Sequence, residues 1–227
     1  AHLPTRCRDW GTLMTSTFDA ISAFDAVFAG RSGHFVDHAG HVEELEVGQW
    51  SSAPDWVDRA LFIDPCDKAT IDVGCGPGRL VAEISARRVP AMGIDVSTEA
   101  VRQTRVRGAL ALRRDVFGVV PGEGRWGYAL LADGNLGIGG DPVRLLARVA
   151  RLLAPGGAVI AEVADHGVGL VRDRRRLRVD GRLSSHFEWA VVGLDAIEEV
   201  ASQAGMTVVS SHSVGGRHTA TLELTES

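Results

Sequence analysis

Cysteine is scarce. The 227 residues hold three, Cys7, Cys66 and Cys75, an odd and unclustered set. That excludes a disulfide framework and argues equally against a cysteine-based zinc site. Long apolar runs are missing too: no stretch approaches the roughly eighteen residues that mark a membrane helix. Ala1–Trp10 carries arginines and a proline where a secretory leader would carry its apolar core, so the expected location is the cytoplasm. Positive charge is not in excess. The net charge of -5 gives no global field to hold a long polyanion, so any nucleic-acid role must rest on a local patch. Lysine is nearly absent, Lys68 being the sole one among 24 basic residues. Arginines scattered over every segment read as the coding bias of a high-GC bacterial genome. Internal repeats, low-complexity tracts and interdomain linkers are also lacking. What remains is 45% hydrophobic and 23% charged, an ordinary globular composition at a length ample for one continuous core.

Along the chain, Thr15–Ala29 places Phe18, Ile21, Phe24, Val27 and Phe28 at helical spacing with Gly30 as a stop. Residues 31–52, rich in Gly, His and acids without a period, read as a long loop of the kind used as a lid. A short helix is expected over Pro54–Phe62. From there short apolar runs alternate with helical segments. Strands are expected at Ala69–Val73, Ala91–Val96, Ala109–Arg113, Tyr128–Ala132 and Ala158–Val163, and helices at Arg79–Arg88, Thr98–Arg107 and Pro142–Leu153, the last capped by Asp141. This alternation implies a doubly wound α/β domain with parallel strands and right-handed crossovers. Period two returns over Val171–Ala190, with Asp180-Gly181 placed as a type I′ turn, so an inserted β-hairpin is expected at about 170–190. A helix over Leu194–Ala204 and strands at Met206–Ser211 and Thr219–Leu224 complete the chain. The simplest organisation is a helical N-terminal extension, 1–64, on one domain, 65–227.

The strongest local feature is Ile71-Asp-Val-Gly-Cys-Gly-Pro-Gly-Arg-Leu80, a buried strand entering a glycine-rich turn and then a helix. Glycines there let backbone approach a ligand with no Cβ in the way. The dinucleotide fingerprint needs G-x-G-x-x-G, and here the third glycine comes one residue early, which disfavours a nicotinamide or flavin dinucleotide. A turn required only for packing is the competing reading. Asp95, ending the next strand, sits where a carboxylate accepts both hydroxyls of a ribose. It precedes Ser97 and Thr98, so a helix cap is an equal alternative.

Together Asp72–Gly78, Gly93-Ile-Asp-Val-Ser97, Arg114-Asp-Val116 and Leu152-Leu-Ala-Pro-Gly-Gly157 resemble class I S-adenosylmethionine-dependent methyltransferases, over about Ala69–Val163. The resemblance implies a Rossmann-like, mostly parallel seven-stranded sheet with helices on both faces and an antiparallel last strand. It also implies S-adenosyl-L-methionine as cofactor. Gly74, Cys75, Gly76 and Gly78 would surround its methionine part with Asp72 nearby, Asp95 would bind the ribose, and Val96 would lie on the adenine. Asp115 and the backbone of Val116 would take the adenine edge, and Ala132 and Asp133 would lie near the transferred methyl. Arg31, after Phe24-Asp25, is a loose candidate for the cofactor carboxylate. Asp133-Gly-Asn-Leu136 departs from the Asn/Asp-Pro-Pro-aromatic tetrad of enzymes that methylate base or glutamine amines, which lowers that reading; turn chemistry competes for both Asp133 and Asn135.

Methyl transfer from a sulfonium is an in-line displacement, helped mainly by alignment in a dry site. A hydroxyl or protonated amine acceptor also needs a base, and histidine is the usual one. His34 and His38 in the lid, with His41 beside them, and His166 beyond the fifth strand are the candidates, each competing with a solvated surface role. His34, His38 and His41 with Asp37 have spacing that suits a metal on a helix, but Gly33 and Gly40 weaken the helix, so no metal is expected. The hairpin arginines, Arg172, Arg174, Arg175, Arg176, Arg178 and Arg182, suit a phosphate, an acidic substrate or RNA. They equally suit an edge that resists aggregation, and stacking aromatics are scarce there, so nucleic acid is disfavoured. The expected activity is methyl transfer to a small-molecule acceptor at oxygen or nitrogen. The alternatives are an RNA or protein methyltransferase working through the arginine hairpin, or a non-catalytic protein that only binds S-adenosylmethionine. No membrane partner is expected, and monomer and homodimer stay open.

Overall fold

Residues 18–45 and 47–225 are described by the computed structural model. Asp19 caps helix α1 (Ala20–Phe28) by accepting from the Ser22 N–H at 2.9 Å, and Gly30 leaves it in a left-handed turn. The expected start of this helix, Thr15–Thr17, lies outside the described residues, as does Cys7.

The stretch expected as a long loop folds instead. It forms strands β1 (Gly33–Val36) and β2 (Val42–Glu44), antiparallel with Val36 opposite Val42, and a short helix α2 (Val47–Ser51). Neither strand carries a period-two apolar run of its own. β1 is held by pairing with a strand some 140 residues away, Phe35 opposite Leu177, and local patterning does not register that support. Where one helix was expected over 54–62, a single capped turn, α3 (Trp56–Asp58), runs into a π-helical turn over Arg59–Ile63.

The apolar runs that follow become β3 (Thr70–Val73), β4 (Ala91–Asp95), β5 (Leu110–Arg113), β6 (Trp126–Leu131) and β7 (Leu153–Val163). Between them lie α4 (Arg79–Ala86), α5 (Thr98–Val106) and α6 (Pro142–Ala150), the last capped by the Asp141 carboxylate. β8 (Leu170–Val179), β9 (Arg182–Leu183), β10 (Phe187–Val192), α7 (Ile197–Gln203), β11 (Met206–Val214) and β12 (Arg217–Leu224) complete the chain. α7 starts three residues later than Leu194, because Gly193–Ala196 first turn beneath the neighbouring loop at Gly169.

The main sheet runs β11-β12-β7-β6-β3-β4-β5. Its five central and edge strands from β7 to β5 are parallel, while β12 is antiparallel to β7 and β11 to β12. One face packs Ile71, Val73 and Ile94 on Leu145, Val149 and Val200 of α6 and α7. The other packs Leu130 and Ile160 on Phe62, Ile63, Leu80 and Ile84. Burial on both faces is why these strands read as unbroken apolar runs.

A second, antiparallel sheet runs β10-β8-β1-β2, with β9 pairing β8. Asp180 and Gly181 both have positive φ, +49° and +78°, as the type I′ turn requires. Its apolar face, including Leu177, Val179, Phe35 and Phe187, covers Ala23, Val27 and Phe24 of α1. Among the described residues no helix is long and apolar enough to cross a membrane.

Candidate active site

A cavity of about 840 Å³ opens between the second sheet and the carboxyl ends of the parallel strands, the place where open α/β sheets bind ligands. Its floor starts at the glycine turn. Gly74 has φ +73°, and a Cβ there would lie 2.7 Å from the Asn135 side chain, whose amide donates to the carbonyls of Val73 (3.0 Å) and Gly74 (2.9 Å). Gly78 (φ +82°) faces away: a Cβ on it would strike Thr104 of α5 at 2.5 Å, so its role is helix packing. Gly74, Cys75 and Gly76 line the cavity and Gly78 does not. Burial pushes the Cys75 thiol well above its usual range, so it stays protonated.

Asp95 ends β4, only 9% exposed. One carboxylate oxygen accepts from the Gly76 N–H at 3.0 Å and the other from the Ser97 N–H at 2.8 Å. Burial raises its pKa, opposed by these two backbone bonds. The side-chain cap of α5 is made by Ser97, which accepts from the Ala100 N–H. Val96, Asp115 and Val116 continue the wall, Asp115 accepting from the Phe117 N–H. Asp72 and Ala132 are buried behind the wall and do not line it. Burial lifts the Asp72 carboxyl to about 7 against the pull of Arg79.

A charged network closes the floor. Arg79, 4% exposed, donates from Nε and Nη2 to both oxygens of Asp58 and from Nη1 and Nη2 to both oxygens of Asp133. Arg217, at the start of β12, donates to Asp58, Asp133 and both oxygens of Glu162. Although burial pushes the Asp58 pKa up, the two guanidiniums hold it below its ordinary value. Asp133 sits at φ +53°, with its N–H on Glu162. Backbone strain of this kind at a non-glycine persists only where surroundings impose it, and both arginines do.

The roof is aromatic. Phe24, Phe28, Phe35, Trp50, Phe187 and Trp189 all line the cavity and touch one another in a chain of ring contacts 5.6–6.4 Å apart. Arg175 of β8 lies among them, its guanidinium 5.4 Å from the Phe35 ring.

The histidine candidates are elsewhere. His34 alternates with Phe35 and so points from the opposite face of β1. His38 is 74% exposed and bound to Asp173, His41 is 83% exposed and bound to Asp37, and His166 lies in an exposed turn. Arg31, expected at the cofactor carboxylate, is carried outward past the Gly30 turn and pairs with Asp180 at 2.5 Å. None of these lines the cavity. Conversely, Asp58, Arg79, Glu162 and Arg217 were not anticipated. Arg79 and Arg217 follow glycine turns but nothing in the sequence marks their partners. Arg175 did carry a signal, since the period of two puts it on the same strand face as the apolar Leu177 and Val179.

A family model described as a methyltransferase domain matches residues 49–211. No curated protein matches the sequence significantly. Among solved structures, an S-adenosylmethionine-dependent methyltransferase from Bacteroides fragilis in complex with S-adenosyl-L-homocysteine aligns with TM-score 0.75 at 16% identity, covering 92% of this chain and 95% of that one. The sugar N-methyltransferase KedS8 from Streptoalloteichus sp. aligns with TM-score 0.53 at 15% identity, covering 75% and 84%. The 1,6-didemethyltoxoflavin-N1-methyltransferase of Burkholderia thailandensis aligns with TM-score 0.51 at 20% identity, covering 70% and 71%. At these identities the likeness is one of fold.

Proposed function

The chain belongs to the methyltransferase domain family, and from that premise we propose that it moves a methyl group from S-adenosylmethionine to a small-molecule acceptor, at oxygen or nitrogen. S-adenosylmethionine is the methyl donor of this family, and the floor residues fit it. Each Asp95 oxygen carries one N–H and keeps a lone pair for a ribose hydroxyl. A Cβ on Gly76 would meet nothing nearer than Phe28 at 3.9 Å, so the turn offers open backbone to a ligand. Val96 and Val116 supply apolar faces for the adenine. Asp115 has one oxygen on the Phe117 N–H and one left for the adenine amino group.

The bound cofactor supplies an electrophilic methyl on a sulfonium. The chain's own contribution is to align the acceptor and exclude water. With no histidine on the wall among the described residues, no histidine base enters the reading. Of the extension expected over 1–64, helix α1 and strands β1 and β2 act as the lid over the binding domain, joined in the roof by the hairpin at 170–190, whereas Asp58, Phe62 and Ile63 belong to the floor and core of that domain.

The observation that carries the small-molecule reading is the roof. A cavity of about 840 Å³ shared by cofactor and acceptor, and covered by a second sheet, is the size of a small-ligand site rather than a track for a polymer. Three structural neighbours have names that state an acceptor: a sugar, 1,6-didemethyltoxoflavin and a glycopeptide. Calorimetric titration with S-adenosylmethionine, with NAD as control, tests the cofactor, and saturable binding of the first alone is expected. Labelled methyl transfer into small-molecule fractions and into RNA or protein then tests the acceptor. Label entering the macromolecules alone would overturn the small-molecule assignment.

A further inference from the structure

Arg175 is the anomaly of the cavity wall. Its Nε is buried without a hydrogen-bond partner. The nearest carboxylates, Asp173 at 3.5 Å and Glu43 at 3.8 Å, balance its charge without meeting hydrogen-bond geometry. Asp173 is itself engaged by the ring and the N–H of His38. Buried polar groups in folded proteins are hydrogen-bonded as a rule. Although the Nε itself is covered, the two Nη groups make no hydrogen bond to the described residues either and, in a side chain 18% exposed on the cavity wall, are the donors open to a partner. A guanidinium presents a planar fork of donors matched to a carboxylate. It also lies within a wall of six aromatic side chains, with Phe35 under it and Phe187 opposite it in the β8–β10 register.

On the methyl-transfer reading above, we propose that the acceptor is a flat, ring-bearing molecule with a carboxylate, its ring against Phe35, Phe187 and Trp189 and its carboxylate on Arg175. Phe and Trp faces take planar rings in offset or edge-on contact. Glu43 and Asp173 hold the guanidinium in place while leaving its donors unused. The floor of the cavity, with Asp95 and the glycine turn, is reserved for the cofactor.

The test titrates the protein loaded with S-adenosylhomocysteine with 2-naphthoate and with 2-naphthamide, which differ in the carboxylate alone. Naphthoate is expected to bind about ten- to hundredfold tighter, the worth of a charge-assisted pair. Arg175→Gln is expected to erase that preference, Arg175→Lys to restore part of it, and both to bind S-adenosylhomocysteine like the wild type. Equal affinity for the two naphthalenes, or none for either, overturns the proposal. It is also overturned if Arg175→Gln weakens S-adenosylhomocysteine but not 5′-methylthioadenosine, because Arg175 would then hold the cofactor's own carboxylate. Failure of the wild type to bind S-adenosylhomocysteine, read before any naphthalene is added, would instead sink the methyl-transfer reading.

Discussion

Floor and roof of one cavity use arginine in opposite ways. In the floor, Arg79 and Arg217 each make four hydrogen bonds to carboxylates, tying Asp58, Asp133 and Glu162 into one lattice beneath the strand ends. In the roof, Arg175 makes no hydrogen bond that the described residues supply, and rests on an aromatic ring. The saturated arginines are scaffold: they hold the α3 turn, α4, the loop after β6 and β12 at fixed separations. The unsaturated one leaves its recognition capacity free. A guanidinium in a cavity therefore says little by identity alone, and the count of its unused donors decides its role.

Breaking the floor carries the largest expected effect. Arg79→Met removes four hydrogen bonds and leaves Arg217 as the one remaining cation for Asp58, Asp133 and Glu162, and loss of one partner of a buried pair costs about 3–5 kcal/mol. The urea midpoint should fall accordingly. A loss under about 1 kcal/mol would mean the lattice is not structural.

Next is Asp72, buried behind the floor with its carboxyl lifted to about 7 from an ordinary 3.8. Below pH 3.8 it is protonated folded or unfolded. Between there and pH 7 the unfolded chain ionises while the folded protein keeps the proton, so this group's contribution to stability is lost as pH rises. Asp72→Asn cannot ionise. Measured against wild type, its relative stability should climb by a few kcal/mol from pH 4 to pH 8 and then level; a flat difference would place the Asp72 pKa near its ordinary value. Asp95→Ala is expected to act on ligand rather than fold, weakening S-adenosylmethionine by about ten- to hundredfold by calorimetry, the worth of bonds to a charged acceptor. Unchanged affinity in a folded variant would remove the ribose assignment.

The two regions also differ in how far the sequence discloses them. β3, β4, β6 and β7 were legible because burial on both faces leaves unbroken apolar runs, and the glycine turn was legible because Gly74 and Gly76 take a positive φ that residues with side chains rarely adopt. β1 and β2 were not, being three or four residues long, rich in polar side chains and held by β8 far along the chain. The floor lattice was invisible for a related reason: Asp58, Arg79, Asp133, Glu162 and Arg217 come from five separate elements, and no spacing rule joins them. The histidines show the converse error. His34, His38 and His41 have the chemistry for a base but sit on the face or turns of the lid strands that point to solvent.

The smallest expected effect discriminates most sharply between the two arginine roles. Arg175→Met deletes a guanidinium that makes no hydrogen bond, while the unbranched thioether keeps contact with the Phe35 ring and fills similar space. What is lost for stability is a cation–π contact, of order 0.5–1 kcal/mol where water has access, and two long ion pairs that contribute less. Asp173 keeps His38 as its partner and Glu43 is exposed, so neither carboxylate is stranded. The urea midpoint should therefore move by under about 1 kcal/mol, against the several expected for Arg79→Met. A large loss at Arg175 would show that its partners hold it as tightly as the floor holds Arg79, and the roof would then be scaffold as well.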